Sequence, residues 1–221
     1  MNKSKGLIIF SKYPEYGKVK TRLAATIGNE KAIKFYTVCA EYLFDNAKKL
    51  KKSVETFLFY SPQKDLQKVK EWVSEDFTFI PQTGNDLGKR MQNAFTEIFK
   101  RGMKKVVIVR TDIPDVTYEV LINAFRALDK NDIVIGPSYD GGYYLLGMRK
   151  PFPALFENIE WSTGNVFDST IKKIKKLNLS FFTLPKLHDV DTEMELLNWL
   201  NSKQGNKIFK EKLRKAVFEN D

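Results

Sequence analysis

The chain has 221 residues, of which 43% are hydrophobic and 13% aromatic, which is enough for one globular domain with a substantial core. A single cysteine and a single histidine exclude both an intrachain disulfide and a zinc site built from clusters of these residues. The 37 Lys and Arg residues outnumber the 27 Asp and Glu residues, and the resulting net charge of +10 favours an anionic substrate or partner.

Short apolar runs rich in β-formers alternate with longer helical segments along the whole chain. Several of these runs are apolar on both faces, as is typical of strands that helices cover on both sides. The alternation has no internal repeat and indicates an α/β fold. The predicted strands are residues 6–10, 55–60, 77–80, 106–109, 133–135, 143–146 and 180–183.

The helical segments lie between these strands. Thr192 and Glu195 have the spacing of a capping box, which predicts that a helix begins there. Residues 205–218 are amphipathic, so we expect one domain over 1–202 and a C-terminal helix within 203–221 docked on it. The other predicted helices are residues 30–50, 64–73, 86–100, 118–128, 164–177 and 192–200.

The apolar run after the basic residues 1–5 is too short for a signal peptide, and no stretch approaches the ~20 apolar residues of a membrane helix. We therefore expect a cytoplasmic protein without a membrane span. The lysine clusters at 48–52 and 172–176 fall at predicted helix ends, which favours solvated lysines. Nucleic-acid binding is the alternative, although no nucleic-acid-binding motif accompanies the clusters.

A cationic loop follows the first predicted strand. Pro14 and Gly17 give this loop a turn-forming backbone. Ligands of open α/β sheets bind at the carboxyl ends of the strands, and cations with free backbone N–H groups ahead of a helix bind phosphate. The loop therefore predicts a phosphate site, with an ordinary charged loop as the alternative. Its cations are Lys12, Lys18, Lys20 and Arg22.

Two acidic positions complete the prediction at this edge of the sheet. Asp112 follows the fourth strand, with Pro114 behind it, and Asp191 directly precedes a helix. Mg²⁺ and Mn²⁺ prefer oxygen ligands and commonly share carboxylates with substrate phosphates. Asp112 and Asp191 therefore predict a metal pair, although Asp191 alone could equally be a plain charge at the helix N-terminus or a helix cap.

Three more clusters are predicted at the same edge. In residues 82–91, two glycines allow a ligand to approach the backbone closely. Residues 140–144 are the second cluster, although they could form only a hairpin turn. Trp161 offers an aromatic face and Ser162 and Thr163 offer hydroxyls, although a helix N-cap explains either hydroxyl as well.

Six motifs in order resemble one family: K-Y-P-x-x-G-K-V-K-T-R-L, Q-x-G-x-D-L-G-x-R-M, T-D-x-P-D, D-G-G-Y-Y-L-x-G, W-S-T and D-V-D-T. They are similar to motifs of bacterial glycosyltransferases of the nucleotide-diphospho-sugar transferase (GT-A) superfamily, some linked with arsenosugar biosynthesis, and the resemblance covers about residues 6–200. Molybdenum-cofactor and phospholactate guanylyltransferases are more distant members. The resemblance implies a three-layer α/β/α, Rossmann-like GT-A fold with a mixed, mostly parallel sheet.

The resemblance also implies roles for individual residues. Asp112 and Asp191 would hold Mg²⁺ or Mn²⁺, and Asp140, Gly141 and Gly142 would meet the acceptor or sugar. The phosphate ligands would be Lys12, Lys18, Lys20 and Arg22; the nucleotide pocket would be lined by Gly84, Asp86, Gly88 and Arg90; and Trp161, Ser162 and Thr163 would contact substrate.

This chain departs from the family around the metal carboxylate. Family members usually have Gly-Ser or Gly-Thr before the metal Asp and Cys after it, where this chain has Arg110, Thr111 and Ile113. Arg110 would either crowd the nucleotide or add a phosphate contact.

Two reactions fit these residues: glycosyl transfer from a nucleotide-diphospho-sugar to a small acceptor, and nucleotidyl transfer from an NTP to a phosphorylated small molecule. The resemblance favours the first. Catalysis would rest on positioning and charge neutralisation around Asp112, without a protein nucleophile and with Asp140 as a candidate base. The alternatives without catalysis are a polyanion-binding or nucleic-acid-binding domain that uses the net positive charge, and a pseudoenzyme that binds a nucleotide without turnover.

Overall fold

A computed structural model of the protein describes residues 3–61, 66–73, 77–203 and 205–219. The described residues form one seven-stranded sheet in the order β3-β2-β1-β4-β6-β5-β7. Every strand pair is parallel except the two made by β6, which confirms the predicted mixed, mostly parallel sheet. The strands are β1 Lys5–Ser11, β2 Glu55–Tyr60, β3 Thr78–Pro81, β4 Lys105–Arg110, β5 Ile133–Pro137, β6 Tyr143–Met148 and β7 Phe181–Thr183.

The described helices agree with the predicted ones to within a few residues, and the first two residues predicted for the 64–73 helix lie outside the described ranges. Two elements were not predicted: α1 and a 3₁₀ helix over Pro153–Phe156. Because α1 buries only Leu23, its sequence carries no apolar period to detect. The α-helices are α1 Thr21–Ile27, α2 Asn29–Lys48, α3 Leu66–Trp72, α4 Leu87–Lys100, α5 Tyr118–Ala127, α6 Val166–Lys176, α7 Glu193–Asn201 and α8 Lys207–Phe218.

Alternate residues of β1 feed two separate cores because successive side chains of a strand point to opposite faces. Leu7 and Ile9 pack in the core that contains residues of α2, α3 and α5. Ile8 and Phe10 pack in the core that contains residues of α4, α6 and the 3₁₀ helix. The sheet is therefore the middle layer of a three-layer α/β/α fold. None of the helices in the described ranges is long and apolar enough to cross a membrane.

The C-terminal helix α8 closes a third apolar cluster. Phe209, Leu213 and Val217, spaced four residues apart, pack with Phe35 of α2 and Trp199 of α7. This spacing places the three side chains on one face of the helix, as the amphipathic pattern predicts. The cluster also contains Leu23 and Val190, so the helical layer reaches the loops at the carboxyl edge of the sheet.

A buried lysine joins α8 to the end of α7. Lys210 Nζ donates hydrogen bonds to the carbonyls of Trp199 (2.5 Å) and Ser202 (2.8 Å) and to Ser202 Oγ (2.8 Å). Lys210→Met is expected to lower the free energy of unfolding by about 2–4 kcal/mol, because it removes three bonds from a charged donor and strands buried acceptors. Urea denaturation of this variant and of Lys212→Met, an exposed position on the same helix, measures the difference. Equal losses in the two variants would contradict the expectation.

Candidate metal and phosphate site

Loops from four strands meet at one edge of the sheet. Strands β1, β4, β5 and β7 run in the same direction, so the segments that follow them emerge together. In open α/β sheets this carboxyl edge is where ligands bind. Most of the residues predicted for the site lie in these four segments.

Three carboxylates form a compact cluster, hereafter the carboxylate cage: Asp112, Asp189 and Asp191. One oxygen of each lies within 4.8 Å of the others. Asp112 follows β4, and the other two residues lie between β7 and α7. Oxygen donors at this spacing fit a hard divalent cation such as Mg²⁺ or Mn²⁺. Asp189 was not predicted as a metal ligand, although the D-V-D spacing on an extended segment was a signal for it.

Two protein cations lie directly on the carboxylate cage. Lys20 Nζ is 2.7 Å from Asp191 Oδ1, 3.0 Å from Asp189 Oδ1 and 3.3 Å from Asp112 Oδ2. Arg110 contacts Asp112 through two nitrogens, with Nε 3.1 Å from Oδ1 and Nη2 2.8 Å from Oδ2. Its Nη2 also lies 3.0 Å from Asp189 Oδ2. Arg110 is therefore turned onto the acids, and the bidentate pair with Asp112 holds it there.

These charges shift the pKa values of the carboxylates in opposite directions. Burial acts to raise the pKa of Asp112, but Arg110 and Lys20 outweigh it and hold this pKa well below the usual range. Burial and the neighbouring charge of Asp112 raise the pKa of Asp189 despite the attraction of both cations.

The N-terminus of α7 positions Asp191. Thr192 Oγ1 accepts a hydrogen bond from the Glu195 N–H at 3.3 Å, and Glu195 Oε2 accepts from the N–H groups of Thr192 (2.8 Å) and Asp191 (2.9 Å). The predicted capping box is therefore present, and Thr192 is the N-cap residue. The alternative interpretation of Asp191 as the helix cap is wrong, because its carboxylate faces Lys20 instead.

The cationic loop divides into one buried cation and three that reach solvent. Lys20 has a left-handed backbone (φ 45°, ψ 47°) at the start of α1, and its side chain is 3% exposed. Arg22 is 72% exposed, with Nη1 3.8 Å from Asp191 Oδ2. Lys12 and Lys18 are exposed. These three residues stay predicted phosphate ligands, whereas Lys20 lies on the carboxylates.

Tyr36 of α2 ties the cationic loop to the segment that carries Asp112. Its hydroxyl accepts the Lys12 N–H at 2.9 Å, donates to the Lys12 carbonyl at 2.8 Å and lies 2.9 Å from Thr111 Oγ1. Tyr36 is buried in the middle of a helix, so its position in the sequence indicates only a core residue. We infer no chemistry for it beyond holding the two loops in register.

The β5–β6 connection is a hairpin, as the alternative interpretation of residues 140–144 predicted. The Ser138 N–H donates to the Gly142 carbonyl at 3.0 Å. Asp140 Oδ1 accepts from Ser138 Oγ (2.5 Å) and from the Gly142 N–H (2.9 Å). Burial acts to raise the pKa of Asp140, but these bonds and the charge of Arg110 lower it overall. A lower pKa makes a weaker base, so the geometry favours a turn-forming role over proton abstraction.

The predicted nucleotide-pocket residues are largely explained by packing. A Cβ on Gly84 would lie 2.8 Å from the Arg90 backbone nitrogen, and Arg90 Nε donates to the Gly84 carbonyl at 3.0 Å. Asp86 is the N-cap of α4 and accepts from the Lys89 N–H at 2.8 Å. A Cβ on Gly88 would lie 2.2 Å from the Trp161 indole, so this glycine makes room for the ring.

The hydroxyls beside Trp161 do not cap a helix. The N-cap of α6 is Asn165, without a side-chain cap bond, so the helix-cap interpretation of Ser162 and Thr163 is wrong. Ser162 has a left-handed backbone (φ 65°) and is exposed. Thr163 Oγ1 donates to the Glu160 carbonyl at 2.8 Å. Both residues remain predicted substrate contacts.

The fold is that of nucleotide-diphospho-sugar transferase-like α/β proteins. The chain belongs to the family DUF2064, described as "Uncharacterized protein conserved in bacteria", whose family model matches residues 45–163. A solved structure from Desulfovibrio desulfuricans G20, provisionally named a nucleotide-diphospho-sugar transferase, is 34% identical and has a TM-score of 0.88. The match covers 98% of this chain and 97% of that chain. No curated protein matches the chain.

More distant structures share the fold. A 4-diphosphocytidyl-2C-methyl-D-erythritol synthase from Anaerococcus prevotii DSM 20548 is 12% identical with a TM-score of 0.59, over 88% of this chain and 95% of that one. A manganese complex of Rv0371c from Mycobacterium tuberculosis H37Rv is 16% identical with a TM-score of 0.53, over 91% and 100% of the chains. None of these matches bears on arsenosugar biosynthesis, and that link stays a prediction.

Proposed function

We propose that the protein is a metal-dependent transferase that moves a glycosyl group from a nucleotide-diphospho-sugar to a small acceptor. The observation that carries the proposal is the carboxylate cage beside the cationic loop at the carboxyl edge of the sheet. The likeness to the Desulfovibrio protein, over nearly the whole of both chains, supports this donor class. The manganese complex of the mycobacterial structure supports a divalent metal.

Three groups of residues would have different roles in binding the donor's diphosphate and sugar. Lys12, Lys18 and Arg22 of the cationic loop reach solvent, with Arg22 at the rim of the cage, and would bind the phosphates. Mg²⁺ or Mn²⁺ held by Asp112, Asp189 and Asp191 would supply positive charge for the diphosphate that leaves. The hairpin at Asp140 borders the cage and would meet the sugar or acceptor.

Glycosyl transfer needs no protein nucleophile, and the carboxylates of the cage are paired with Lys20 and Arg110. The donor's bond between the sugar carbon and the phosphate oxygen breaks, the acceptor oxygen bonds to that carbon, and the acceptor's proton passes to the leaving diphosphate or to water. Cys39 is fully buried in the third apolar cluster, and burial raises the pKa of its thiol. His188 is stacked on Tyr139, with the ring centroids 4.2 Å apart. Positioning and charge neutralisation are therefore the effects that this site can supply.

The second candidate function is nucleotidyl transfer. The fold likeness to the Anaerococcus synthase favours it, since that protein's name denotes a cytidylyl-bearing product. The substrate's own phosphate would then attack the nucleotide's α-phosphorus, and pyrophosphate would leave. The same cations and metal ligands serve this reaction, so the preferred nucleotide must distinguish the two.

A thermal-shift screen tests the proposal. We expect one UDP-, GDP-, ADP-, CDP- or dTDP-sugar to raise the melting temperature with Mg²⁺ or Mn²⁺ and not with EDTA. A ligand at 100 times its dissociation constant stabilises the native state by about 2.7 kcal/mol, which such a screen resolves. Stabilisation by NTPs alone would favour nucleotidyl transfer. If no nucleotide shifts the melting temperature, whereas nucleic acid binds with a steep salt dependence, the transferase proposal fails in favour of polyanion binding.

A further inference from the structure

Lys20 occupies the centre of the carboxylate cage. Its ammonium group has three N–H donors and contacts one oxygen from each of Asp112, Asp189 and Asp191, at 3.3, 3.0 and 2.7 Å. The side chain is 3% exposed, so water contributes little to its solvation. A single positive charge thus takes the position that three carboxylates provide for a cation.

Protein cations already engage both oxygens of two of the three carboxylates. Arg110 contacts Oδ1 and Oδ2 of Asp112 and Oδ2 of Asp189. Lys20 contacts Asp112 Oδ2 and Asp189 Oδ1. Mg²⁺ binds its ligands at roughly 2.0–2.1 Å, and a dication that close to these oxygens repels an ammonium group on the same oxygens. A metal ion that binds these oxygens therefore favours the departure of one protein cation from the cage.

Lys20 is the cation that can leave. Arg110 is held by a bidentate pair to a carboxylate two residues away, on a planar group that fits it. Lys20 makes single contacts through a flexible four-carbon stem. Its neighbours Val19 (3% exposed) and Leu23 (fully buried) anchor the backbone, so the side chain can move without the loop.

We propose that the Lys20 ammonium group and a divalent metal ion are alternative occupants of the carboxylate cage. Without metal, the Lys20 ammonium group holds the three carboxylates together and offsets their negative charge. With metal, the ammonium group leaves the carboxylates and joins the exposed cations of the loop. The exchange rests on the proposed function, because a metal-dependent enzyme must empty the cage of Lys20. It makes Lys20 a positioning residue that sets metal affinity.

Mn²⁺ titration of the full chain without nucleotide tests the exchange. Lys20→Met keeps much of the side chain's volume and removes the competing charge. We expect its dissociation constant for MnCl₂, measured by calorimetry or by Mn²⁺ paramagnetic resonance, to be at least about tenfold lower than that of the unsubstituted protein. The melting temperature in EDTA should fall, because the carboxylates lose their shared cation, and Mn²⁺ should restore it. Lys20→Gln, which retains a donor, provides the same comparison if Lys20→Met does not fold.

Arg22→Met is the matched control. It also removes one positive charge near Asp191, but the Arg22 side chain lies at the rim, 3.8 Å from the carboxylate and 72% exposed. We expect a change of at most about threefold in Mn²⁺ affinity, since screening weakens an exposed charge. Equal Mn²⁺ affinity in Lys20→Met and the unsubstituted protein overturns the exchange and leaves metal-dependent transfer standing. Tight Mn²⁺ binding by Lys20→Met, together with no response of the unsubstituted protein to any nucleotide, supports the exchange and overturns the proposed function.

Discussion

Asp112→Asn is expected to lower turnover of the nucleotide sugar selected by the screen by about 10³-fold. The substitution keeps the shape of the side chain and removes the carboxylate that two cations hold ionised. It also removes one of the three proposed metal ligands, so Mn²⁺ binding should weaken in parallel. Steady-state kinetics with Mn²⁺ varied at saturating donor would measure both effects.

The fold of Asp112→Asn should survive the change. Arg110 keeps its contact with Asp189, and Lys20 keeps its contacts with Asp189 and Asp191. Asp45→Asn is the matched control, since its side chain is 64% exposed on α2 and contacts only Lys48 among the ion pairs of the described residues. Turnover of Asp112→Asn within about tenfold of the Asp45→Asn value would show that the cage does not carry the chemistry.

The sheet and the position of the site are predictable because both follow from local patterns. Each strand is an apolar run, and the residues after β1, β4 and β5 are polar at the point where parallel strands end. The rule that ligands bind at this edge then places Lys20 and Asp112 in one region of the molecule. The helix α1 escapes prediction because only Leu23 of its seven residues is buried.

The partners within the site are not predictable from the same patterns. Lys20 is predicted as a phosphate ligand because it lies in a loop with three other cations. In the structure its backbone is left-handed and its side chain contacts the carboxylates. A sequence pattern does not report the φ angle of a lysine. The predicted metal pair needs only two acids and so omits Asp189, whereas the structure brings three within 4.8 Å.

Arg110 shows how a departure from the family pattern acquires meaning only in three dimensions. The resemblance predicts that it crowds the nucleotide or contacts phosphate. The structure places it on Asp112 and Asp189, with a third of the side chain exposed. Arg110 therefore neutralises two carboxylates of the cage at once. Because part of its side chain still reaches solvent, a contact between Arg110 and a substrate phosphate stays a prediction.

Gly141→Ala is expected to lower the free energy of unfolding by about 2–6 kcal/mol. Gly141 has φ +85°, and a Cβ there would lie 1.9 Å from the Gly164 carbonyl oxygen. Backbone strain of roughly 1–3 kcal/mol adds to overpacking of roughly 1–3 kcal/mol, because the neighbour is backbone and cannot rotate away. The Phe167 N–H also donates to the Gly141 carbonyl at 2.9 Å, so a shift of the hairpin would break its hydrogen bond to the start of α6 as well.

Gly102→Ala separates the two contributions to this loss. Gly102 has nearly the same φ, +89°, but a Cβ there meets no atom within 4 Å, so only the backbone strain remains. Urea denaturation should therefore show a loss of about 1–3 kcal/mol for Gly102→Ala and a clearly larger one for Gly141→Ala. Equal losses would mean that the hairpin yields easily. A hairpin that yields easily could not hold Asp140 next to the cage. The proposal that this hairpin contacts the sugar or acceptor would then be wrong.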